Sequence, residues 1–261
     1  MKDNEITPEK KSTTPKSSSI INFPPSPQSF IEHLQYDNIQ LQEKDLIGIS
    51  GIIGTGKTQL AKELGKIFDF PVFYEPEIDK KFLEDFYNNK KRYSFSLQVA
   101  LLNERFSQQQ KALWEGKGGI TDRTMYEDSL FAKVLFEEGN MEERQYKTYL
   151  NLFRNMSHFM KKYTLIIYLD LNPKLALERI RERNYDYERN ISLNYLEKLH
   201  DAYEEFIQQI TKDIPVIRVN CHRFDSVEKM AKKIKNEYKN MTNIKILEYS
   251  DSDDENGGKK N

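Results

Sequence analysis

Gly51-Ile52-Ile53-Gly54-Thr55-Gly56-Lys57-Thr58 fits the pattern G-x-x-x-x-G-K-[ST] and stands between a short apolar run and an amphipathic segment, residues 59–68. In such a loop, glycines let backbone N–H groups crowd around phosphate oxygens, and the following helix presents its positive N-terminal end to the anion. The Lys57 ammonium suits the β- and γ-phosphates of ATP, and the Thr58 hydroxyl suits Mg²⁺. The order of strand, loop and helix therefore predicts a phosphate-binding loop.

Outward from this loop, short apolar runs alternate with longer amphipathic segments. That alternation is typical of strand-helix-strand units, and it predicts an α/β fold with a five-stranded parallel sheet flanked by helices. Apolar spacing of three and four residues predicts two long helices, at about 94–115 and about 194–211. The five predicted strands are Leu46–Ile49, Pro71–Tyr74, Gly119–Thr121, Leu165–Leu169 and Val216–Val219.

The two ends of the chain differ in composition from its middle. Residues 1–43 contain several prolines and little periodic hydrophobicity, which predicts a mostly disordered N-terminal segment. Residues 242–261 include the acidic run Ser250–Glu255, so we expect a solvated, disordered tail there. One domain of residues 44–241 remains between them.

Composition limits the function classes. The 40 basic and 41 acidic side chains give a net charge of -1, so no basic bias indicates a nucleic-acid partner. The single cysteine, Cys221, excludes an internal disulfide, and the four histidines have no metal-ligand spacing. No apolar run approaches the roughly 20 residues that cross a bilayer. Acidic residues near the N-terminus argue against mitochondrial import, so we expect a cytoplasmic protein without a membrane partner.

Polar residues that follow predicted strands are candidates for binding a phosphoryl acceptor. Ligands of α/β sheets bind beyond the carboxyl ends of strands, where Glu75 could serve as the general base for a hydroxyl. Asp122 could hold Mg²⁺ directly or through water, and Arg123 could brace the acceptor or a phosphate. A solvated glutamate and a helix cap with a surface ion pair are the structural alternatives. Asp170 is a rival magnesium ligand, but Asp170-Leu171-Asn172-Pro173 favours a strand end and a helix start.

Two further groups could contact substrates. The Gln98 amide both donates and accepts hydrogen bonds, as reading a purine or cytosine edge requires, and Arg105 lies seven residues on, on the same helical face. A solvent-facing glutamine is the simpler alternative. The arginines of residues 179–183 could stabilise charge on transferring phosphoryl oxygens, or form a solvated, alternately charged helix face.

Several motifs in order resemble the deoxynucleoside kinase family, and within it the bacterial type of deoxyadenosine/deoxycytidine kinase. The resemblance covers about residues 45–206 and implies a P-loop kinase fold with an arginine-rich lid, and hence a deoxynucleoside kinase domain at 44–241. It rests on the phosphate-binding loop, Glu75-Pro76, Phe82–Tyr87, Tyr93–Gln98, Asn103–Phe106, Asp122–Asp128 and the arginine-rich segment.

The resemblance implies a role for each matching residue. Glu75 is similar to the base that takes the 5′-hydroxyl proton, Arg123 to the arginine that steadies that hydroxyl, and Lys57 completes the catalytic set. Asp122 resembles the acidic residue near Mg²⁺. Gln98, Arg105 and Asp128 resemble the residues that read the base, Tyr87 and Glu188 those that contact the sugar 3′-hydroxyl, and Arg179 and Arg183 lid arginines on the phosphates of ATP.

The lid departs from the family pattern. Where the family usually has Arg-Gly-Arg-x-x-Glu, this chain has Arg183-Asn184-Tyr185-Asp186-Tyr187-Glu188, so Tyr185 replaces an arginine. Arg181 could substitute for the missing arginine, but it lies two residues before Arg183 and on a different helical face. Thr124 stands where the family has serine, and either hydroxyl could cap the following helix.

The sequence thus predicts ATP-dependent phosphorylation of a deoxynucleoside at the 5′-hydroxyl, with deoxyadenosine the favoured acceptor. Deoxyguanosine, deoxycytidine or a nucleoside monophosphate are alternative acceptors, because small changes in pocket shape decide among them. A nucleotide-dependent switch is the non-enzymatic alternative, although the Asn-Lys-x-Asp run of a GTP switch is missing from the domain. Apolar segments at 99–106 and 146–153 predict a homodimer.

Overall fold

The computed structural model describes residues 45–76, 78–114, 116, 118–222, 226–239 and 245–247, and a parallel β-sheet forms its centre. The strands lie in the order β2-β3-β1-β4-β5-β6, and every neighbouring pair is parallel. The α/β prediction is confirmed. Their bounds are β1 (Leu46–Ser50), β2 (Val72–Phe73), β3 (Gly119–Asp122), β4 (Leu165–Asp170), β5 (Val216–Asn220) and β6 (Lys245–Leu247).

All five predicted strands are present, and a sixth extends the sheet. β6 pairs with β5 through the register Ile217 to Lys245 and Val219 to Leu247, inside the stretch 242–261 that we assigned to the tail. A three-residue strand is too short for a period-2 pattern to stand out, and the acidic run that follows dominates the local composition. Its backbone pairing with β5 was therefore not readable from the sequence.

The sheet order places three candidate residues along one edge. β1 lies between β3 and β4, so the chain reverses its direction of winding at β1, which is where ligands bind in such sheets. The phosphate-binding loop follows β1, Glu75 comes shortly after β2, and Asp122 ends β3. All five residues of β1 are buried, so the loop starts from a fixed strand.

Among the described residues, the helices form two packing groups. α1 packs on α8, while α3, α4 and α5 pack on one another, and both α4 and α6 pack on α7. The two predicted long helices correspond to α3 and α7, and none of the described helices is long and apolar enough to span a membrane. The bounds are α1 (Lys57–Phe68), α2 (Lys80–Asn88), α3 (Lys90–Trp114), α4 (Tyr126–Glu137), α5 (Glu143–Ser157), α6 (Pro173–Arg183), α7 (Leu193–Ile210) and α8 (Val227–Lys239).

The junction of β4 and α6 follows local sequence signals. Asp170 ends β4, the Asn172 side chain accepts a hydrogen bond from the Lys174 backbone N–H at 2.9 Å, and Pro173 opens α6. The Asp170 carboxylate accepts from the Arg218 guanidinium at 2.7 Å. The strand-end role that we favoured for Asp170 is therefore confirmed.

Candidate active site

Lys57 folds back over the loop that precedes it. Its ammonium donates to the carbonyl oxygens of Gly51 at 3.0 Å and Ile52 at 2.8 Å. Burial lowers the pKa of Lys57 to about 7, and the Arg123 guanidinium adds to this, while the Asp122 carboxylate opposes it. Negative charge beside this ammonium favours its protonated form, so the electrostatics of the loop favour a phosphate ligand.

The loop glycines are required by close backbone approaches. A Cβ atom on Gly54, whose φ is +89°, would lie 2.9 Å from the carbonyl oxygen of Ala176 in α6. A Cβ atom on Gly51 would lie 2.8 Å from the carbonyl oxygen of Leu169 in β4. The phosphate-binding loop therefore packs against both the central sheet and the helix that leads into the lid.

Thr58 and Asp122, the two predicted magnesium ligands, contact each other. The Thr58 hydroxyl donates to Asp122 Oδ2 at 2.5 Å. Asp122 Oδ1 is buried and has no hydrogen-bond partner within the described part of the chain, and burial raises the pKa of this carboxyl. A hydroxyl beside a buried carboxylate is an all-oxygen donor set of the kind that Mg²⁺ prefers, so these two residues fit the ion.

Glu75 is held between two arginines. Arg105 Nη2 donates to Glu75 Oε1 at 2.9 Å, and Arg123 Nε donates to the same oxygen at 3.1 Å. Both arginines are buried, whereas the Glu75 side chain is 42% exposed. Glu75 therefore has one oxygen fixed by the protein while the carboxylate as a whole stays accessible to a ligand.

The charge state of Glu75 follows from this arrangement. Burial would raise its pKa, but the Arg123 and Arg105 guanidiniums outweigh burial and lower the pKa to about 2. The carboxylate is thus ionised at any pH at which the protein works. It is a strong hydrogen-bond acceptor for a hydroxyl and a weak equilibrium base.

Arg105 of α3 pairs with Asp128 of α4, and Gln98 lies on α3 about two helical turns before Arg105. Arg105 Nε donates to both oxygens of Asp128, at 3.1 and 3.2 Å, and Gln98 is only 3% exposed, which excludes the solvent-facing alternative. Gln98 Oε1 and Arg105 Nη1 are buried without a hydrogen-bond partner among the described residues. Such atoms are rare in proteins unless a ligand or water satisfies them, so this cluster is suited to a polar heterocycle.

Burial disfavours the ionised form of the Asp128 carboxyl. Burial raises its pKa to about 7, and the Arg105 and Arg123 guanidiniums offset only part of that rise. Both carboxylate oxygens of Asp128 accept from Arg105 Nε, which fixes this carboxyl close to Arg105 Nη1, an atom without a partner among the described residues.

Tyr87 and Glu188 approach each other where α2 packs on the short 3₁₀ turn Asp186–Glu188. Burial raises the pKa of the Tyr87 hydroxyl well above its usual range, and the carboxylates of Glu188 and Glu75 add to this. Glu188 is paired with Arg183, whose Nε donates to it at 2.7 Å. The pair predicted for the sugar hydroxyl is therefore near Glu75, but Glu188 is already bound to a lid arginine.

Two of the lid arginines are bound to other parts of the protein. Arg179 Nη2 donates to the carbonyl oxygen of Cys221 at 3.0 Å, Arg183 pairs with Glu188, and Arg181 is exposed. Tyr185, which is 50% exposed, stacks on Tyr187 with ring centroids 5.5 Å apart. Contact with transferring phosphates would need these side chains to exchange partners.

Sequence reasoning missed two residues that surround Arg123, and it misassigned Thr124. Glu127 is fully buried and binds Arg123, and the Tyr203 hydroxyl reaches both of them from α7. The i to i+4 spacing of Arg123 and Glu127 was a readable signal, whereas nothing in the sequence indicated Tyr203. Thr124 does not cap α4, because its hydroxyl donates to Glu127 at 2.9 Å and α4 has Met125 as its N-terminal cap residue.

The fold and the site together define a P-loop kinase. Residues 47–243 match the deoxynucleoside kinase family, and the chain belongs to that family. A deoxyadenosine kinase of Dictyostelium discoideum is 50% identical over 205 residues, which span 77% of this chain and 84% of that protein. A deoxyadenosine/deoxycytidine kinase of Bacillus subtilis is 33% identical over 188 residues, 71% of this chain and 86% of that protein.

Solved structures agree with this assignment. The deoxyadenosine kinase from M. mycoides with the products dCMP and dCDP bound superposes with a TM-score of 0.67 at 30% sequence identity, covering 75% of this chain and 99% of that one. The predicted resemblance is confirmed, and the chain is a deoxynucleoside kinase that binds a nucleotide. The monophosphate-kinase and switch alternatives are set aside.

Proposed function

We propose that the chain transfers the γ-phosphoryl group of ATP to the 5′-hydroxyl of a deoxynucleoside, with deoxyadenosine as its preferred acceptor. The observation that carries the proposal is the shared Arg105 guanidinium, which contacts Asp128 in the buried pocket and Glu75 at its open end. A base bound against Gln98 and Arg105 would therefore place its sugar toward Glu75. The names of the Dictyostelium and Bacillus relatives support deoxyadenosine.

Glu75 and Arg123 act on the acceptor hydroxyl. Because its pKa is about 2, the Glu75 carboxylate orients the hydroxyl by accepting a hydrogen bond from it. Glu75 takes the proton only as the hydroxyl oxygen bonds to phosphorus. Arg123, bound to Glu75 at 3.1 Å, holds the carboxylate and the hydroxyl in line. Tyr87 and Glu188 hold the sugar 3′-hydroxyl.

The donor side neutralises charge on the phosphates. Lys57 and the backbone N–H groups of the loop bind them, and Arg179 and Arg183 complete the cage when the lid closes. Thr58 and Asp122 would hold Mg²⁺. When bound, the ion supplies positive charge to the β- and γ-phosphate oxygens.

Base preference depends on two buried side-chain atoms, one of Gln98 and one of Arg105, that have no hydrogen-bond partner among the described residues. Gln98 Oε1 can accept from the exocyclic amine of adenine, and Arg105 Nη1 can donate to a ring nitrogen. Cytosine presents the same amine and acceptor pattern, and the M. mycoides relative carries dCMP as a product. Deoxycytidine is therefore a second candidate acceptor beside deoxyguanosine, whose N7 and O6 can accept from Arg105 but whose N1–H needs an acceptor of its own.

The test is a phosphorylation assay of the purified protein with ATP, Mg²⁺ and each of the four deoxynucleosides, with product position read by ³¹P NMR. We expect the highest kcat/KM with deoxyadenosine and a 5′-monophosphate as product. Glu75→Ala should lower kcat by about 10²–10⁴-fold while ATP binding persists. Near-normal turnover by this variant, or a higher kcat/KM with deoxyguanosine, contradicts the proposal.

We also propose a homodimer in a cytoplasmic setting. Part of the apolar surface predicted for the dimer is used internally, because α3 packs on α5 and both Tyr149 and Phe153 are buried. Leu152, on the outer face of α5, is 36% exposed and remains available to a second copy. Analytical ultracentrifugation of the wild type and Leu152→Glu tests this, and a monomeric wild type would contradict it.

A further inference from the structure

Arg123 has a backbone conformation that side chains rarely adopt. Its φ is +81°, in the left-handed region, where an L-residue other than glycine is strained by roughly 1–2 kcal/mol. Such strain persists only when surrounding contacts over-determine the conformation. The contacts that fix Arg123 are therefore expected to be strong and specific.

The guanidinium of Arg123 is held from several sides. Nη1 donates to Glu127 Oε2 at 3.1 Å and to the Tyr203 hydroxyl at 2.7 Å, while Nε faces Glu75. The Phe131 ring lies under the guanidinium, 4.9 Å from its Cζ. Nε thus faces Glu75 at the acceptor edge, whereas Nη1 is bound to residues of the protein interior.

Glu127 joins the side chain of Arg123 to the turn that follows it. Its Oε1 accepts from the Thr124 backbone N–H at 2.7 Å and from the Thr124 hydroxyl at 2.9 Å, while Oε2 accepts from Arg123 and Tyr203. The residue is 0% exposed. A buried carboxylate is costly unless it is fully bonded, and these four donors satisfy it.

Tyr203 brings α7 into the same cluster. Its hydroxyl donates to Glu127 and accepts from Arg123, and its ring stacks on Tyr168 with centroids 6.1 Å apart. Burial raises the pKa of Tyr203 well above its usual range, so the hydroxyl keeps the proton that it donates. α7 begins a few residues after the lid residue Glu188, so Tyr203 connects the element after the lid with Arg123.

We propose that Tyr203 and Glu127 are positioning residues that hold the Arg123 guanidinium toward Glu75 and the acceptor hydroxyl. Neither residue touches the acceptor in this scheme, and both act through Arg123. The inference rests on the proposed function, because it requires Arg123 to contact the hydroxyl. It adds a dependence of turnover on a hydroxyl of α7, outside every motif that marks the site in the sequence.

The first test is Tyr203→Phe, which removes one oxygen and keeps the ring contacts with Tyr168 and Phe131. We expect kcat for the fastest deoxynucleoside to fall about tenfold, the effect of losing a hydrogen bond to a charged group, with KM for ATP changed by less than about twofold. Tyr238→Phe is the matched control, because Tyr238 is buried in α8 and its hydroxyl has no partner among the described residues. Equal kcat values for the two variants would overturn the proposal.

A double-mutant cycle separates positioning from a general packing role. In an Arg123→Lys background, the guanidinium is gone, so Tyr203→Phe should cause no further loss of kcat. A further tenfold loss in that background would overturn positioning through Arg123. Glu127→Gln, checked for folding by its thermal midpoint, should resemble Tyr203→Phe in lowering kcat without raising KM for ATP.

The same variants distinguish failure of this inference from failure of the proposed function. If Arg123→Lys is slow but Tyr203→Phe turns over at the wild-type rate, Arg123 keeps its role and the positioning role is wrong. If Arg123→Lys itself turns over at the wild-type rate, the role proposed for Arg123 is wrong, and the positioning role with it.

Discussion

The charged side chains of the acceptor pocket and those of the lid differ in burial and in bonding partners. In the pocket, Arg105 and Arg123 are buried, and each is already bonded to a carboxylate that faces the acceptor. In the lid, Arg181 and Tyr185 are exposed, and Arg183 is committed to Glu188. The pocket is built before substrate arrives, whereas the lid must change partners.

This difference separates stability from turnover. Removing a charge from the pocket leaves its partner buried and unpaired, so both the fold and the reaction suffer. Removing an exposed lid charge such as Arg181 costs little stability, so only the reaction should suffer. Variants on the two sides can therefore confirm or refute the contrast.

The largest effect is expected from Arg105→Leu. Asp128 loses its bonded cation and Glu75 loses one of two, so the free energy of unfolding should fall by about 3–5 kcal/mol. Urea unfolding followed by circular dichroism measures this. The exposed lid variant Arg181→Leu is the control and should change stability by less than about 0.5 kcal/mol. Similar losses in both variants would remove the contrast.

Next in size is Arg183→Gln in the lid. If Arg183 leaves Glu188 for the phosphates, kcat should fall by about 10²-fold or more, because arginines that meet transferring phosphoryl groups have effects of that order. The thermal midpoint should fall less than in the pocket variant, because glutamine keeps an N–H donor for the buried Glu188 carboxylate and the side chain of Arg183 is itself 36% exposed. Stopped-flow or coupled assays give kcat. A large drop in the midpoint with unchanged kcat would assign Arg183 to the pocket side.

A smaller effect is expected from Tyr185→Arg, which restores the arginine of the usual family pattern. A second lid guanidinium should lower KM for ATP by a few-fold, at roughly 1 kcal/mol per charge-assisted contact. Stability should change little, because Tyr185 is half exposed, and its ring contacts are with Tyr187 and with the Arg183 guanidinium, whose Cζ lies 5.3 Å from the ring centroid. Tyr187→Phe serves as the matched aromatic control. An unchanged KM would mean that position 185 does not meet the donor.

The smallest expected effect concerns the pH dependence of kcat: protonation of Glu75 should cause no loss of activity on the acid side of the profile. Because the folded-state pKa of Glu75 is lowered to about 2, the carboxylate is ionised above that pH, and protonation of Glu75 itself cannot limit kcat between pH 5 and 7. The measurement is kcat at saturating ATP across this range. An ordinary glutamate base with a pKa near 4.5 would also give a nearly flat profile there, so the profile should be extended to pH 4, where only the lowered pKa predicts full activity.

The sequence predicted the fold well because its signals were local. The G-x-x-x-x-G-K-T stretch fixed the loop, and the apolar runs located five strands. The pocket residues Gln98 and Arg105 were predictable from their shared helical face. The partners of Arg123 were less so: Tyr203 reaches it from 80 positions away, and only tertiary packing brings them together. β6 was not predicted because its backbone pairing with β5, rather than a pattern of side chains, defines it.

The lid was predicted by resemblance and not by physics. Residue types at 179 and 183 indicated phosphate contact, but the bonds of Arg183 to Glu188 and of Arg179 to the Cys221 carbonyl depend on distances that spacing does not encode. Thr124 shows the same limit. A hydroxyl before a helix usually caps it, but here the Thr124 hydroxyl donates a hydrogen bond to the Glu127 side chain instead.

One guanidinium links the two carboxylates of the pocket, and this has an evolutionary consequence. If Asp128 helps to select the base, as the family resemblance implies, a substitution that removes its charge also changes the electrostatics around Arg105, and through it those of the Glu75 carboxylate. Substrate choice and turnover are therefore inherited together. A lineage that acquires a new base preference by this route should also need a compensating mutation near Arg105 before it recovers its speed.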